Sequence, residues 1–231
     1  MKMYQIRALG QDDLPQLTRL HKRVIRHIGG KKDLLIVERD GAYFLEILSE
    51  LGIVVGAFFG KDLVGYSSLR YPQIGEENFG TYAGLPISEF PFLAHSNGSM
   101  VDPSHRGHGL HRAMAGRRTQ TARALGLRHL LSEVHGSNPP SLRNLFALGF
   151  KIRGTKHEDG DDFLIFHQQL SHSSSSIKYK ADALAIDTQR QRKLLADGLI
   201  GYEINESNGH CSIKYGLTVQ DGSMSSIGEQ N

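Results

Sequence analysis

The residues best suited to chemistry lie in the stretch SMVDPSHRGHGLHRAM, residues 99–114. A strand-like run ends at Val101, Pro103 cannot continue it, and a basic, glycine-rich segment leads straight into a helical pattern. Such a loop aims successive backbone amides inward, and the helix start adds unpaired N–H groups and partial positive charge. Gly107 and Gly109 let the backbone approach a ligand with no Cβ in the way, and Arg106 can add charge-assisted hydrogen bonds. This pattern predicts a pyrophosphate cradle. It is not a dinucleotide fingerprint, because Arg112 stands where the third glycine of G-x-G-x-x-G belongs, and it lacks the Gly-Lys-Ser/Thr of a P-loop. His105, His108 and His111 could suggest a metal site. Their spacing mixes loop and helix, and only Asp102 could join them, so histidines beside phosphates are the simpler account and no metal is expected.

The stretch also resembles the GNAT acetyltransferase superfamily, whose signature is [Q/R]-x-x-G-x-[G/A]. Arg106, Gly109 and the position of His111 fall on its three defined places, and VDPSHRGHGL has the V-x-P-x-x-R-G-x-G-[I/L] form common there. His111 departs from the pattern, which has Gly or Ala. A second stretch, SEVHGSNPPSLRNLFALGF (132–150), is similar to the family's downstream motif of strand, Asn, short helix and Gly-Phe. The resemblance spans roughly Tyr4 to Leu170. It implies a GNAT acyl-CoA N-acyltransferase fold, an α/β architecture with a mixed central sheet flanked by helices. It also implies that coenzyme A, as acetyl-CoA, is the co-substrate. Met100 and Val101 would pair through their backbone with its pantetheine arm. Arg106, Gly107, His108, Gly109, Leu110 and His111 would cradle the pyrophosphate, and Asn138 and Ser141 would meet the arm.

Acyl transfer from a thioester to an amine needs a proton acceptor for an ammonium with a pKa near ~10, a donor for the oxyanion, and help for the leaving thiolate. The family's protein-N-terminal acetyltransferases carry a base in a string similar to SEVHGSN, which points to Glu133. The bland alternative is a carboxylate paired with a nearby Arg or Lys. His135, on the same strand face as Glu133, and His95 are alternates, since neutral imidazole suits a base near pH 7. The family's usual acid is a Tyr in the following helix, but this chain has Leu145 there. Water, Ser141 or Tyr66 could serve instead. Cys211, the single cysteine, reads as an incidental thiol.

The positioning elements read in the order β-α-α-β-β-β-α-β-α-β-β. Tyr4–Leu9 is a strand, and Gln11-Asp12-Asp13 opens a helix that Gly29-Gly30 stops. Ala42–Leu51 is a second helix. A hairpin turns at Gly60-Lys61-Asp62, and Tyr71–Pro91 is a long loop whose Glu76, Glu77 and Glu89 could receive a cationic amine or simply be solvated. Phe92–Val101 is a strand, followed by a helix from Gly109 to Leu125, the strand RHLLSEVH, a short helix, and a last hairpin turning at Glu158-Asp159-Gly160. This irregular alternation predicts a mixed sheet with helices on both faces. Residues 1–170 are expected to form the catalytic domain and 171–231 an appendage. SHSSSS reads as a linker, DTQRQRKLLADGL as a capped helix, IGYEI and CSIKYGLTV as strands, and the last residues as frayed.

Composition agrees with this class. The 231 residues are 39% hydrophobic and 22% charged, enough for an ordinary core. A net charge of +3 gives too little ground for a nucleic-acid partner, although the 106–128 segment carries Arg112, Arg117, Arg118 and Arg123 without an acid. That run suits either an anionic cofactor or a solvated helix face. One cysteine excludes an internal disulfide. No apolar run suggests a leader or a membrane span, so a cytoplasmic protein is expected. The expected function is N-acyl transfer to a small-molecule or peptide amine. The competing readings are a catalytically silent module that binds coenzyme A or a protein partner and, more remotely, a nucleic-acid binder. The appendage could cover a sheet edge or mediate a homodimer.

Overall fold

The computed structural model describes residues 3–28, 38–171, 175–207 and 210–220. The expected helix stop at Gly29-Gly30, residues 172–174 of the linker and the tail from residue 221 lie outside the described residues. Strand β1 (Tyr4–Ala8) leads through a 3-10 turn (Gln11–Asp13) into α1 (Leu14–Ile28). The turn is fixed by Asp13, which accepts both Arg7 guanidinium bonds at 2.7 Å and the Gly10 N–H. Helix α1 buries Leu17, Leu20, His21 and Val24. The helical spacing holds, but the buried stripe includes a histidine. Helix α2 (Gly41–Glu46), capped by Asp40, runs into a π turn over Ile47–Leu51.

Strands β2 (Gly52–Phe59) and β3 (Asp62–Arg70) form the expected hairpin. The segment read as a long loop holds a short helix, α3 (Phe79–Tyr82), and a 3-10 turn over Ile87–Phe92. Asn78 caps α3, and Lys156 lies over the Phe79 ring. Both are local or tertiary contacts rather than periodicity, which is why the helix has no sequence signature. Then follow β4 (Leu93–Val101), α4 (Leu110–Ala124), β5 (His129–His135), α5 (Pro139–Ala147), β6 (Lys151–Glu158) and β7 (Asp161–Gln169).

Beyond residue 171 the chain adds β8 (Ser175–Leu184), α6 (Thr188–Ala196), β9 (Ile200–Ser207) and β10 (His210–Gln220). The serine run, expected to be a linker through Ser176, is strand at Ser175 and Ser176, where pairing of β8 with β10 overrides composition. All ten strands form one sheet in the order β1-β2-β3-β4-β5-β7-β6-β9-β10-β8. Among the described residues every pair is antiparallel except β4 and β5.

One apolar cluster packs α4 and α5 against one face through Val55, Leu69, Met114, Leu130 and Leu142. It continues into Leu194, Ile213 and Tyr215 of the C-terminal elements. A second cluster packs α1 and α2 on the other face through Leu17, Phe44, Val54 and Tyr66. The central strands are thus covered on both sides, as β2 and β3, which bury residues on both faces, require. No helix among the described residues is long and apolar enough to cross a membrane.

Candidate active site

Strands β4 and β5 pair over only three positions, Leu93 with His129, Ala94 with Leu130 and His95 with Leu131, and then part. The departure coincides with an irregularity in β4, where its register with β3 shifts between Ser99 and Ser96 and Gly98 takes φ 111°. Ser68 Oγ donates to the Asn97 carbonyl at 3.1 Å and fixes the distortion. Past His95, the β4 edge that faces β5 is left without a strand partner, so a peptide-like arm could pair there.

A cavity of about 650 Å³ fills this gap. It runs from the glycine loop past Ser96 and Ser132, where the strands part, and reaches α1 at Val24, His27 and Ile28. Gly107 and Gly109 have φ of 79° and 69°, and a Cβ on either would meet no protein atom within 4 Å. Both glycines therefore serve the left-handed turn and leave open space before the helix. Gly109 is the N-cap of α4, so the first-turn amides that follow lack intrahelical acceptors. The loop is braced from below. Asp102 caps the turn at Ser104 and pairs with Arg23 of α1 at 2.6 Å, and Tyr4 of β1 hydrogen-bonds His105 at 2.9 Å. These features fit a pyrophosphate-bearing cofactor.

Of the residues expected to bind it, Met100, Val101, Arg106, Gly107, Gly109, Leu110, His111, Asn138 and Ser141 line this one cavity. His108 does not. Its Nδ1 lies 2.9 Å from the Arg106 carbonyl and its ring packs on Tyr4. Asn138 caps α5 by accepting the Ser141 N–H. His111 lines the cavity wall, and burial beside Arg118 holds its imidazole toward the neutral form. Leu145, at the place of the family's usual tyrosine acid, is buried on the cavity wall. Tyr66 does not line the cavity, although its cross-strand partner Met100 does; it is buried against His21 with its hydroxyl 2.8 Å from Nδ1, and burial raises its pKa. No tyrosine lines the cavity among the described residues.

None of the three candidate bases lines the cavity, and alternation puts Glu133 and His135 on the face of β5 away from Ser132. Glu133 Oε2 is 2.7 Å from Lys156 Nζ, and that ammonium also meets Glu77 and Glu158, each at 2.9 Å. Burial raises the Glu133 pKa, with Lys156 opposing. His135 accepts at Nδ1 from Ser137 and sits edge-on to Phe163. His95 is stacked on Phe79 with centroids 4.0 Å apart, and its Nε2 accepts the Phe79 N–H at 3.2 Å. Burial and the Arg70 charge lower its pKa to about 4. This histidine holds α3 in place with the nitrogen a base would use. Among the described residues no cluster of three His, Cys, Asp or Glu is placed to hold a metal ion.

The sequence reading missed Ser96, Ser99 and Ser132 as lining residues, and it gave Arg118 only as one of a run of arginines suited to an anionic cofactor or to a solvated helix face. The serines carry no motif. Arg118 stands two helical turns beyond the loop on the stripe of Leu110 and Met114, a spacing that could have placed it inward.

A mixed sheet split between two parallel strands, with a glycine loop opening a helix beside the split, is the architecture of an acyl-transferring enzyme. The chain belongs to the acetyltransferase (GNAT) family, whose sequence model matches residues 31–150, and it is on that footing an N-acetyltransferase. Solved structures share the fold at low identity. The ribosomal-protein-S18-alanine N-acetyltransferase from Escherichia coli is 17% identical, with a TM-score of 0.54, covering 74% of this chain and 97% of its own. An N-acetyltransferase from Staphylococcus aureus Mu50 is 17% identical, with a TM-score of 0.55 and coverages of 73% and 99%. A phosphinothricin acetyltransferase from Sinorhizobium meliloti, solved in complex with acetyl-CoA, is 19% identical, with a TM-score of 0.51 and coverages of 72% and 88%. No curated protein matches the sequence.

Proposed function

We propose that this chain moves an acyl group from an acyl-coenzyme A to the amine of a cationic acceptor, by direct attack, with Glu133 as proton acceptor. The observation that carries this is the cavity running from the α4 glycine loop into the gap between β4 and β5, with a carboxylate-rich cluster on the other face of β5. The co-substrate supplies the activated acyl thioester. Arg106 and the amides at the start of α4 would hold its pyrophosphate, and the free edge of Met100 and Val101 would align its arm. The S. meliloti neighbour's complex with acetyl-CoA supports that choice of co-substrate.

On the acceptor side, Glu76 is committed to Arg70, and Glu89 to Arg128 and His129. Glu77, Glu133 and Glu158 share the single ammonium of Lys156, leaving an excess of negative charge that favours a cationic amine. Glu133 would take the amine's proton directly or through a water, while Lys156 orients the carboxylate. With Leu145 on the cavity wall, the departing thiolate would draw its proton from water or a lining serine such as Ser141. The same leucine favours a second reading, a silent module that binds coenzyme A without turnover. Thermal stabilisation by acetyl-CoA, followed by thiol release across a panel of amines, tests both. Binding with thiol release supports transfer, binding without it supports the silent module, and no binding rejects both.

A further inference from the structure

Arg118 is 2% exposed, yet no acidic side chain pairs with it among the described residues. Its Nη1 donates to Ser67 Oγ at 2.9 Å and to the Ser68 carbonyl at 3.2 Å, both neutral acceptors, and its Nε has no partner. A buried cation without a counter-charge is costly to keep in a fold. Burial holds its pKa down to about 10, so it stays charged at neutral pH all the same. Arg118 also lines the cavity, together with Ser96, Ser99 and Ser132 around the point where β4 and β5 part. Ser67, its partner, bonds onward to Ser99 Oγ at 2.6 Å. The inner end of the cavity is therefore polar and positively charged.

We infer that this inner end receives an acyl group that itself ends in a carboxylate, so that the preferred donor is a short dicarboxylic acyl-coenzyme A of the succinyl type. The inference rests on reading the cavity as the acyl-coenzyme A site. Arg118 follows Leu110 by eight residues, about 12 Å along the helix axis, so it lies well beyond a pyrophosphate seated at the loop. The 3′-phosphate of coenzyme A is on the far side of that pyrophosphate from the thioester, and the arm between them is uncharged. The anion that can reach Arg118 is then carried by the acyl group. A planar guanidinium with an unused N–H is suited to a carboxylate.

Calorimetric titration of the full chain with acetyl-, succinyl- and 4-methylpentanoyl-coenzyme A, the last an uncharged isostere of succinyl, tests this. The expected result is tighter binding of the succinyl thioester than of its isostere by about 10- to 100-fold, the range typical of hydrogen bonds to charged groups. In Arg118→Met, checked for folding by circular dichroism, that ratio should fall to about one. Equal binding of the two thioesters by the unmodified protein overturns the inference, whatever the variant does. So does a preference that survives in Arg118→Met, or a loss of turnover in that variant that is equal for all donors, which would mark Arg118 as an oxyanion stabiliser. Binding of acetyl-coenzyme A without preference leaves the transferase reading standing, whereas no binding of any thioester removes both.

Discussion

Glu133 and Lys156 lie 2.7 Å apart, and burial works against that pairing by favouring the neutral acid. Glu133→Gln keeps the shape and leaves the buried ammonium paired with Glu77 and Glu158, so the protein should fold and bind acetyl-CoA as before. Turnover should fall by ~10²–10⁴-fold, the usual worth of a placed proton acceptor. The deficit should narrow as pH rises and more acceptor arrives deprotonated, and full turnover across neutral pH would move the role to His135 or to water. His95 gives a second expectation. Its folded pKa of about 4 lies below the unfolded value of 6.5, so the unfolded chain binds the extra proton first. Its contribution to stability is complete above about pH 6.5 and is lost as pH falls toward 4, at up to ~1.4 kcal/mol per pH unit. Urea midpoints between pH 7 and 4.5 should decline less steeply in His95→Gln, which retains an acceptor for the Phe79 amide. An unchanged slope would assign the acid sensitivity to other groups.

At the level of elements, the loop and the first turn of α4 act as one unit. Gly109 combines a left-handed φ with the N-cap position. A side chain there would touch no protein atom, so Gly109→Val should leave the fold standing at a conformational cost of ~1–2 kcal/mol, while its branches fill the space where the phosphates are to sit. Acetyl-CoA affinity should disappear from a folded protein. Retention of affinity in a calorimetric titration would mean that the cofactor is held elsewhere.

For the whole molecule, the last elements extend the sheet and join its core. Gly136, just after β5, lies so close to the turn after β8 that a Cβ would stand 2.0 Å from the Ala185 carbonyl oxygen. Backbone on both sides cannot yield cheaply, so Gly136→Ala should destabilise the protein by roughly 1–3 kcal/mol, the cost typical of overpacking. Its melting temperature should drop, and cleavage by a protease beyond Asp187 should quicken. In the unmodified protein that region should resist cleavage, since Leu194, Ile213 and Tyr215 are packed. Rapid cleavage there without loss of the remaining fold would show that the C-terminal elements are an independent annex.

What the sequence determined by itself was local. Glycines at left-handed positions, a proline that ends a strand, an asparagine before two prolines and the periodicities of α1, α4 and α6 all act within a few residues, so their meaning survives reading one residue at a time. That was enough for the glycine loop that opens α4, for the order of most elements and for the motifs that resemble the family. The tertiary structure decided which side chains share a face. A slip of one residue between strands moves a side chain to the other side of the sheet, so the motif that suggested Glu133 could not show that Lys156, on a strand that does not pair with β5, would meet its carboxylate. Helical spacing could set Arg118 on the inward stripe of α4, but could not show that it would be buried at the split between β4 and β5 with Ser67 and the Ser68 carbonyl as its partners. The serine run likewise became a strand only because β10 offered it an edge. In each case the deciding force is a non-local pairing or burial, and its partner lies too far along the chain for local pattern to carry it.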